Sequence, residues 1–430
     1  MKLAVVGGGS TYTPELVDGV ARLAGQLPVT ELTLVDPDES RLSVVGPFCD
    51  RIMRRYGHPA RVTWTTALDE GLDCAGAVLL QLRVGGQAAR QRDETWPLDC
   101  GCVGQETTGA GGLAKALRTV PVVLDIAERA RQRADASAWI IDFTNPVGIV
   151  TRALLDDGHR AAGLCNVAIG FQRRFAAMLG VPPERVTLDH VGLNHLTWER
   201  AVLVDGKDRL PDLLASAAGE IADEIELPAE VLLRQAAVPS YYLRYYYCHD
   251  EVVREERGAP TRAERVAGIE RDLLAMYADP ALDRKPDLLS QRGGAFYSEA
   301  AVALLASLTS GTGDIQVVNV RNRGTLPFLP DEAVIEVPAE IGSAGPVPVP
   351  VDPVGPLQRG LIAHASAYEE LAVDAALHGG RDRVEAALLA HPLIGQLDLT
   401  AGLADRLIAE NARYLPWAGG AGPAAGRPRK

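Results

Sequence analysis

Short, nearly continuous apolar runs recur through the first third of the chain, at Lys2–Val6, Leu32–Val35, Val62–Trp64, Ala77–Leu82, Trp139–Phe143 and Ala161–Leu164. Such runs suit the strands of a parallel sheet, which is covered on both faces. Between them apolar residues return at helical spacing: Leu16, Val20 and Leu23 share one face, as do Val122, Ile126 and Ala130. This alternation predicts an α/β fold that opens with a Rossmann-type, doubly wound parallel sheet over residues 1–165. Its ligand crevice would lie at the carboxyl ends of the strands.

The pattern changes beyond that point. Val186–Val191 and Thr197–Val204 read as strands, a helical stretch follows, and Ile315–Val320 and Ala333–Val337 read as strands again. Residues 166–418 are therefore expected to form an α+β lobe. Val337–Pro356, crowded with Pro and Gly, is expected to be loop or edge structure. Helical periodicity resumes in Leu357–Ala376, Asp382–Leu389 and Leu399–Tyr414. The segment 419–430, rich in Gly, Ala, Pro and basic residues, is expected to be disordered.

At 430 residues, with 47% hydrophobic and 23% charged residues, the chain is long enough for two packed lobes. A net charge of −13 without basic runs argues against nucleic acid or an anionic membrane as partner. Six scattered cysteines form no Cys-x-x-Cys pair, and no run reaches the length of a membrane span. The opening apolar run is too short for a signal peptide, so the expectation is a cytoplasmic protein with reduced thiols.

Chemistry enters with Val5-Val6-Gly7-Gly8-Gly9-Ser10, a strand running into a glycine-rich turn. Thr13 reads as a helix cap and Pro14 as the first helical residue. Glycines there let the backbone approach a pyrophosphate, and a helix N-terminus offers free N–H groups. Gly7 and Gly9 fit the G-x-G-x-x-G pattern, while Tyr12 stands at the third glycine. The second strand ends in Asp36, the position that hydrogen-bonds an adenosine ribose and would repel a 2′-phosphate. NAD is the expected cofactor.

Further segments stand in order along the chain: Gly104-Gln105-Glu106-Thr107-Thr108-Gly109, Phe143-Thr144-Asn145-Pro146, Gly163-Leu164-Cys165-Asn166-Val167, Gly192-Leu193-Asn194-His195 and Tyr242-Leu243-Arg244-Tyr245-Tyr246. With the opening Gly7–Glu15 they resemble the family-4 glycoside hydrolases, in particular the 6-phospho-β-glucosidase branch, from residue 1 to about 415. The resemblance implies a lactate/malate-dehydrogenase-like arrangement, a requirement for NAD and a divalent metal (usually Mn²⁺), and a homodimer or homotetramer. It also implies an exception to two-carboxylate glycoside hydrolysis. Oxidation at C3 makes the C2 hydrogen acidic, a base removes it, the C1 substituent is eliminated, water adds, and C3 is reduced again.

The resemblance assigns roles that each have a plainer reading. Cys165 and His195 match the metal ligands, though a lone Cys or His is more often structural. Tyr242 matches the base for the C2 proton. Tyr242, Tyr245 and Tyr246, at i, i+3 and i+4, would equally line a packed helix face, and Tyr241 and Tyr245 are its nearest rivals. Asn166 stands where α-acting relatives carry an acidic Asp, which points to β-glucosides such as cellobiose 6-phosphate. Arg90 and Arg262 match phosphate-holding arginines, with Arg265 a rival to Arg262. Gly7, Gly9, Ser10, Thr11, Asp36 and Asn145 are the expected cofactor contacts, and Asn145 also faces the reacting hydroxyl. Glu106 borders the pocket, and Arg83 and Arg321 have no assigned role. Two other functions fit parts of the pattern: a conventional NAD-dependent 2-hydroxy-acid dehydrogenase, with His195 as acid–base, and an inactive NAD and sugar-phosphate sensor.

Overall fold

In the computed structural model, which describes residues 1–294 and 296–419, six strands form the parallel sheet. They are β1 (Lys2–Val6), β2 (Glu31–Val35), β3 (Arg61–Thr65), β4 (Ala77–Leu80), β5 (Trp139–Asp142) and β6 (Ala161–Gly163). Their order, β3-β2-β1-β4-β5-β6, reverses direction between β1 and β4, with Lys2 opposite Glu31 and Leu3 opposite Ala77. That is the dinucleotide-type order, and its crevice opens at the strand carboxyl ends. The tail from 420 onward, expected to be disordered, lies outside the described residues.

The sheet continues past β6. The later strands are β7 (Val186–Leu193), β8 (Leu196–Val204), β9 (Lys207–Asp208), β10 (Val238–Pro239), β11 (Asp314–Arg321), β12 (Val334–Gly342) and β13 (Gly345–Pro348). β11 joins β6 antiparallel, with Asn319 opposite Gly163, and the order runs on through β12, β7, β8 and β10. One thirteen-stranded sheet therefore carries a parallel half and an antiparallel half. The chain then returns: helix Pro356–His378 packs against helix Gly109–Arg133 over the parallel half, burying Tyr368, Ala372 and Val373 beside Leu113, Leu117 and Val120. No helix among the described residues is long and apolar enough to cross a membrane.

Three local expectations are corrected. Val337–Pro356 is loop and edge structure only beyond Gly342, where β13 pairs with β12 alone: β12 itself runs within the sheet to Gly342, and the carbonyl of Pro338 accepts from the Val349 amide at 3.0 Å. Val122 is exposed, because the buried face of its helix is Val120, Val123, Ala127 and Ala130. Thr13 is not the cap. Its amide already donates to the Ser10 carbonyl at 3.0 Å, so the helix starts one residue earlier, and its hydroxyl accepts from Gln81 Nε2 at 2.7 Å.

Candidate active site

A pocket of about 540 Å³ opens where the strands of the parallel half end. Gly7 and Ser10 reach it from the turn after β1, Asp36 from β2, Gln81 and Arg83 from β4, Phe143 and Asn145 from β5, and Asn166 from β6. Later segments close it with His195, Tyr242, Arg262, Arg292 and Tyr297.

At one end the turn is packed so tightly that only glycine fits. Gly7 has φ +88, and its amide and that of Gly8 donate to the Val35 carbonyl at 2.8 and 2.9 Å. A Cβ on Gly8 would sit 2.7 Å from Leu34 Cβ, and one on Gly9 would meet the Asp36 carboxyl at 2.9 Å. Asp36 accepts from the amides of Gly9 and Asp38, each at 3.0 Å. Burial pushes its carboxyl above the ordinary range, against the pull of these amides and Arg41. Gly9 supports Asp36 rather than lining the pocket. Thr11 is also withdrawn: it is buried, with its hydroxyl between Glu270 at 3.4 Å and Arg292 at 3.2 Å. Tyr12, in the third glycine's place, donates its hydroxyl to the Gly294 carbonyl at 2.5 Å.

At the other end Cys165, just past β6, is buried and is not among the residues that line the pocket. Burial, and then Glu336, pushes its thiol far up. His195 turns the hairpin between β7 and β8 at φ +65. Its ring stacks on Tyr242, centroids 3.6 Å apart, and burial lowers it to about 4, so the imidazole is neutral. Its Nδ1 has no hydrogen-bond partner among the described residues. A neutral imidazole at the pocket wall fits a divalent metal that takes further donors from Cys165 and from substrate. Glu336 backs this end, accepting from Asn194 Nδ2 at 2.9 Å and Asn319 Nδ2 at 2.8 Å. His190, raised to about 10, bonds Glu336 at 3.1 Å and Glu199 at 2.7 Å through its two ring nitrogens.

Of the tyrosine cluster only Tyr242 lines the pocket. Tyr245 is buried and takes a hydrogen bond from Gln105 Nε2 at 2.7 Å, while Tyr246 pairs with Thr108 at 3.0 Å. Burial raises the Tyr242 hydroxyl, with nearby Arg90 opposing. Arg90 lines the wall between Glu94 at 2.6 Å and Glu106 at 3.1 Å. Glu106 also takes Arg83 and, at 2.7 Å, Lys115. The three cations hold its carboxyl well below the usual range, and burial lowers Lys115 to about 7. Arg262 lines the pocket, its Nη2 anchored to the carbonyls of Gln291 at 3.0 Å and Arg292 at 3.2 Å, whereas Arg265 is exposed outside it. Arg321 pairs with Asp156 at 2.6 Å, away from the pocket. A separate group of metal-type donors, Glu128, Asp157 and His159, encloses Arg131, which contacts all three.

Sequence reasoning missed Lys115, Glu270, Arg292, Tyr297 and Glu336. Lys115 had a signal, being the one charged residue in Gly109–Leu117, where every other side chain is small or apolar. The others sit in no local motif.

Known proteins resemble this chain over nearly its whole length. The model of the family 4 glycosyl hydrolases matches residues 2–181, and that of the family's C-terminal domain matches 190–394. The chain is 36% identical to a probable 6-phospho-β-glucosidase of Bacillus subtilis, over 97% of each chain. It superposes with a TM-score of 0.89 and 31% identity on the 6-phospho-β-glucosidase of Thermotoga maritima solved with manganese, NAD⁺ and glucose 6-phosphate, covering 96% of this chain and 99% of that one. A malate dehydrogenase of Cryptosporidium parvum, at TM-score 0.55 and 16% identity over 87% of this chain and 98% of that one, shares the fold.

Proposed function

The chain belongs to family 4 of the glycosyl hydrolases, and on that premise we propose that it hydrolyses 6-phospho-β-glucosides with NAD and a divalent metal, Mn²⁺ first among them. The observation that carries this reading is a single pocket lined by the glycine turn with Asp36, by His195 with Tyr242, and by Arg90 with Arg262. A plain dehydrogenase would leave Cys165 without a task, and nothing about the pocket favours an inactive sensor.

The reaction proceeds by C3 oxidation, loss of the C2 proton, elimination at C1, water addition and re-reduction. When bound, NAD would carry the C3 hydride away and back, and the metal held by Cys165 and His195 would polarise the C2 and C3 oxygens and lower the Tyr242 hydroxyl into a working range. The remaining tasks fall to the chain's own groups. Arg90 and Arg262 fork onto the 6-phosphate. Asn145, whose Oδ1 is buried without a partner among the described residues, orients the C3 hydroxyl. Asn166 hydrogen-bonds the sugar and, being an amide, leaves proton delivery to another group. Tyr242 takes the C2 proton.

The six cysteines, all free thiols, support a reducing, cytoplasmic setting. A homodimer or homotetramer belongs to the same proposal, and sedimentation equilibrium would test it. The activity itself is tested by hydrolysis of chromogenic 6-phospho-β- and 6-phospho-α-glucosides, with and without NAD and Mn²⁺. Turnover of the β-substrate only when both are supplied is expected, and turnover that ignores both would overturn the reading.

A further inference from the structure

Behind the His195 ring lies a second, smaller cavity of about 30 Å³, so that His195 and Tyr242 form a partition between it and the main pocket. Three polar atoms of residues lining it have no hydrogen-bond partner among the described residues: His195 Nδ1, the Tyr368 hydroxyl and Glu369 Oε2. Their residues are 6%, 5% and 8% exposed, so bulk water does not serve them. Glu369 makes no ion pair among the described residues, whereas its neighbour Glu370 pairs with Arg152 at 3.0 Å. Room for the carboxyl is made by Gly148, since a Cβ there would lie 2.7 Å from Glu369 Oε1.

A cavity needs roughly 10–15 Å³ and two to four polar partners to hold an ordered water. This one offers the space and the partners. A metal-ligating histidine, for its part, almost always donates its second ring N–H to a carboxylate, a carbonyl or a water. We propose that Glu369 is a positioning residue for His195, holding the imidazole Nδ1–H through an ordered water in this cavity, so that Nε2 carries the lone pair. Tyr368 supplies the water's third partner. The carboxyl comes from helix Pro356–His378, which packs over the parallel half, while the imidazole comes from the antiparallel half. The cavity thus links the last helical layer to the ligand hairpin. The inference rests on the reading of His195 as a metal ligand.

Mn²⁺ titration followed by electron paramagnetic resonance of the free ion, on the full chain in the presence of NAD, provides the test. Glu369→Leu should weaken Mn²⁺ binding about 10- to 100-fold while leaving NAD affinity and Tm near wild type. Glu369→Gln keeps an acceptor oxygen and should stay within about threefold of wild type. A folded Leu variant with wild-type Mn²⁺ affinity overturns the proposal, and so does a Gln variant as weak as Leu. Should the Leu variant fail to fold, Gly148→Ala presses a methyl onto the same carboxyl. Weakened Mn²⁺ binding there supports the proposal, and unchanged binding overturns it. Wild-type protein that binds NAD but no Mn²⁺ would sink the metal reading itself, and this inference with it.

Discussion

The imidazole of His195 and the phenol of Tyr242 lie face to face, ring centroids 3.6 Å apart and planes within 7° of parallel. One hairpin turn and one short helical segment therefore present the candidate ligand and the candidate base as a single stacked unit. Removing the Tyr242 hydroxyl and removing its ring are consequently different experiments. Tyr242→Phe keeps the stack and should lower kcat by about 10²–10⁴ with NAD and Mn²⁺ affinities intact. Tyr242→Ala should weaken Mn²⁺ binding as well. In D₂O the wild-type product sugar phosphate should carry deuterium at C2, read by NMR; a product fully protonated there, from an enzyme shown to need NAD, would count heavily against loss of the C2 proton to a solvent-exchanging base.

Asp36 closes the nucleotide end of the pocket, where a 2′-phosphate would meet its carboxylate. NAD should bind about tenfold or more tightly than NADP. Asp36→Ala should narrow that gap, and a fluorescence titration of both nucleotides on both proteins measures it. Equal affinities in the wild type would remove Asp36 as the discriminating group.

Cys165 and His195 stand away from the glycine turn. Cys165→Ser and His195→Ala should each lose Mn²⁺, seen by metal analysis after desalting, while retaining NAD in an equilibrium titration. Chelation of the wild type should abolish turnover, and added Mn²⁺ should restore it. A variant with full activity would strike that residue from the site.

Arg262 faces the pocket from a backbone-anchored position, whereas Arg265 is exposed. Arg262→Ala should raise KM for a 6-phosphoglucoside by about tenfold or more, the loss of a charge-assisted contact from a half-buried guanidinium. Arg265→Ala should leave it near wild type. Arg90→Ala should cost more than Arg262→Ala, because it also strips a cation from buried Glu106.

Acid stability provides a check remote from catalysis. His391 is buried, accepts the Gly109 amide at 2.9 Å where helix Gly109–Arg133 begins, and is lowered by burial to about 3. Its folded value is depressed, so folding favours the neutral ring. The stability this contributes is present above the unfolded value of 6.5 and is lost as pH falls toward 3. Between those limits the loss approaches about 1.4 kcal/mol per pH unit. Urea unfolding should show His391→Gln with a shallower fall than wild type from pH 6.5 to 4.5; parallel curves would remove His391 as the cause.

The parallel half was legible because its strands are buried on both faces and so read as unbroken apolar runs. The glycine turn, Asp36, Tyr242 and His195 were legible because each stands inside a short ordered motif. Val122 misled because a helix face centred on Val120 and Val123 can be displaced by one position without breaking its period. Pro338 misled because a proline inside a strand is rare, yet here its carbonyl still has a partner in Val349. Arg292, Tyr297 and Glu336 were invisible for a different reason. Each meets the site through tertiary contact alone, and the join between β12 and β7, which sets Glu336 opposite Gly192, brings Glu336 within reach of Asn194.

That join bears on how the molecule moves. Cys165 follows β6 and His195 follows β7, and hydrogen-bonded strands run without a break from one to the other through β11 and β12. The two candidate donors sit on one plate rather than on opposing jaws. Swinging one toward the other would break the bridging pairs Asn319–Gly163 and Glu336–Gly192. Across the pocket the Tyr12 hydroxyl, donating to the Gly294 carbonyl at 2.5 Å, ties a later segment to the glycine turn. A cofactor reduced and reoxidised within each turnover would then work against a floor carried by one continuous sheet.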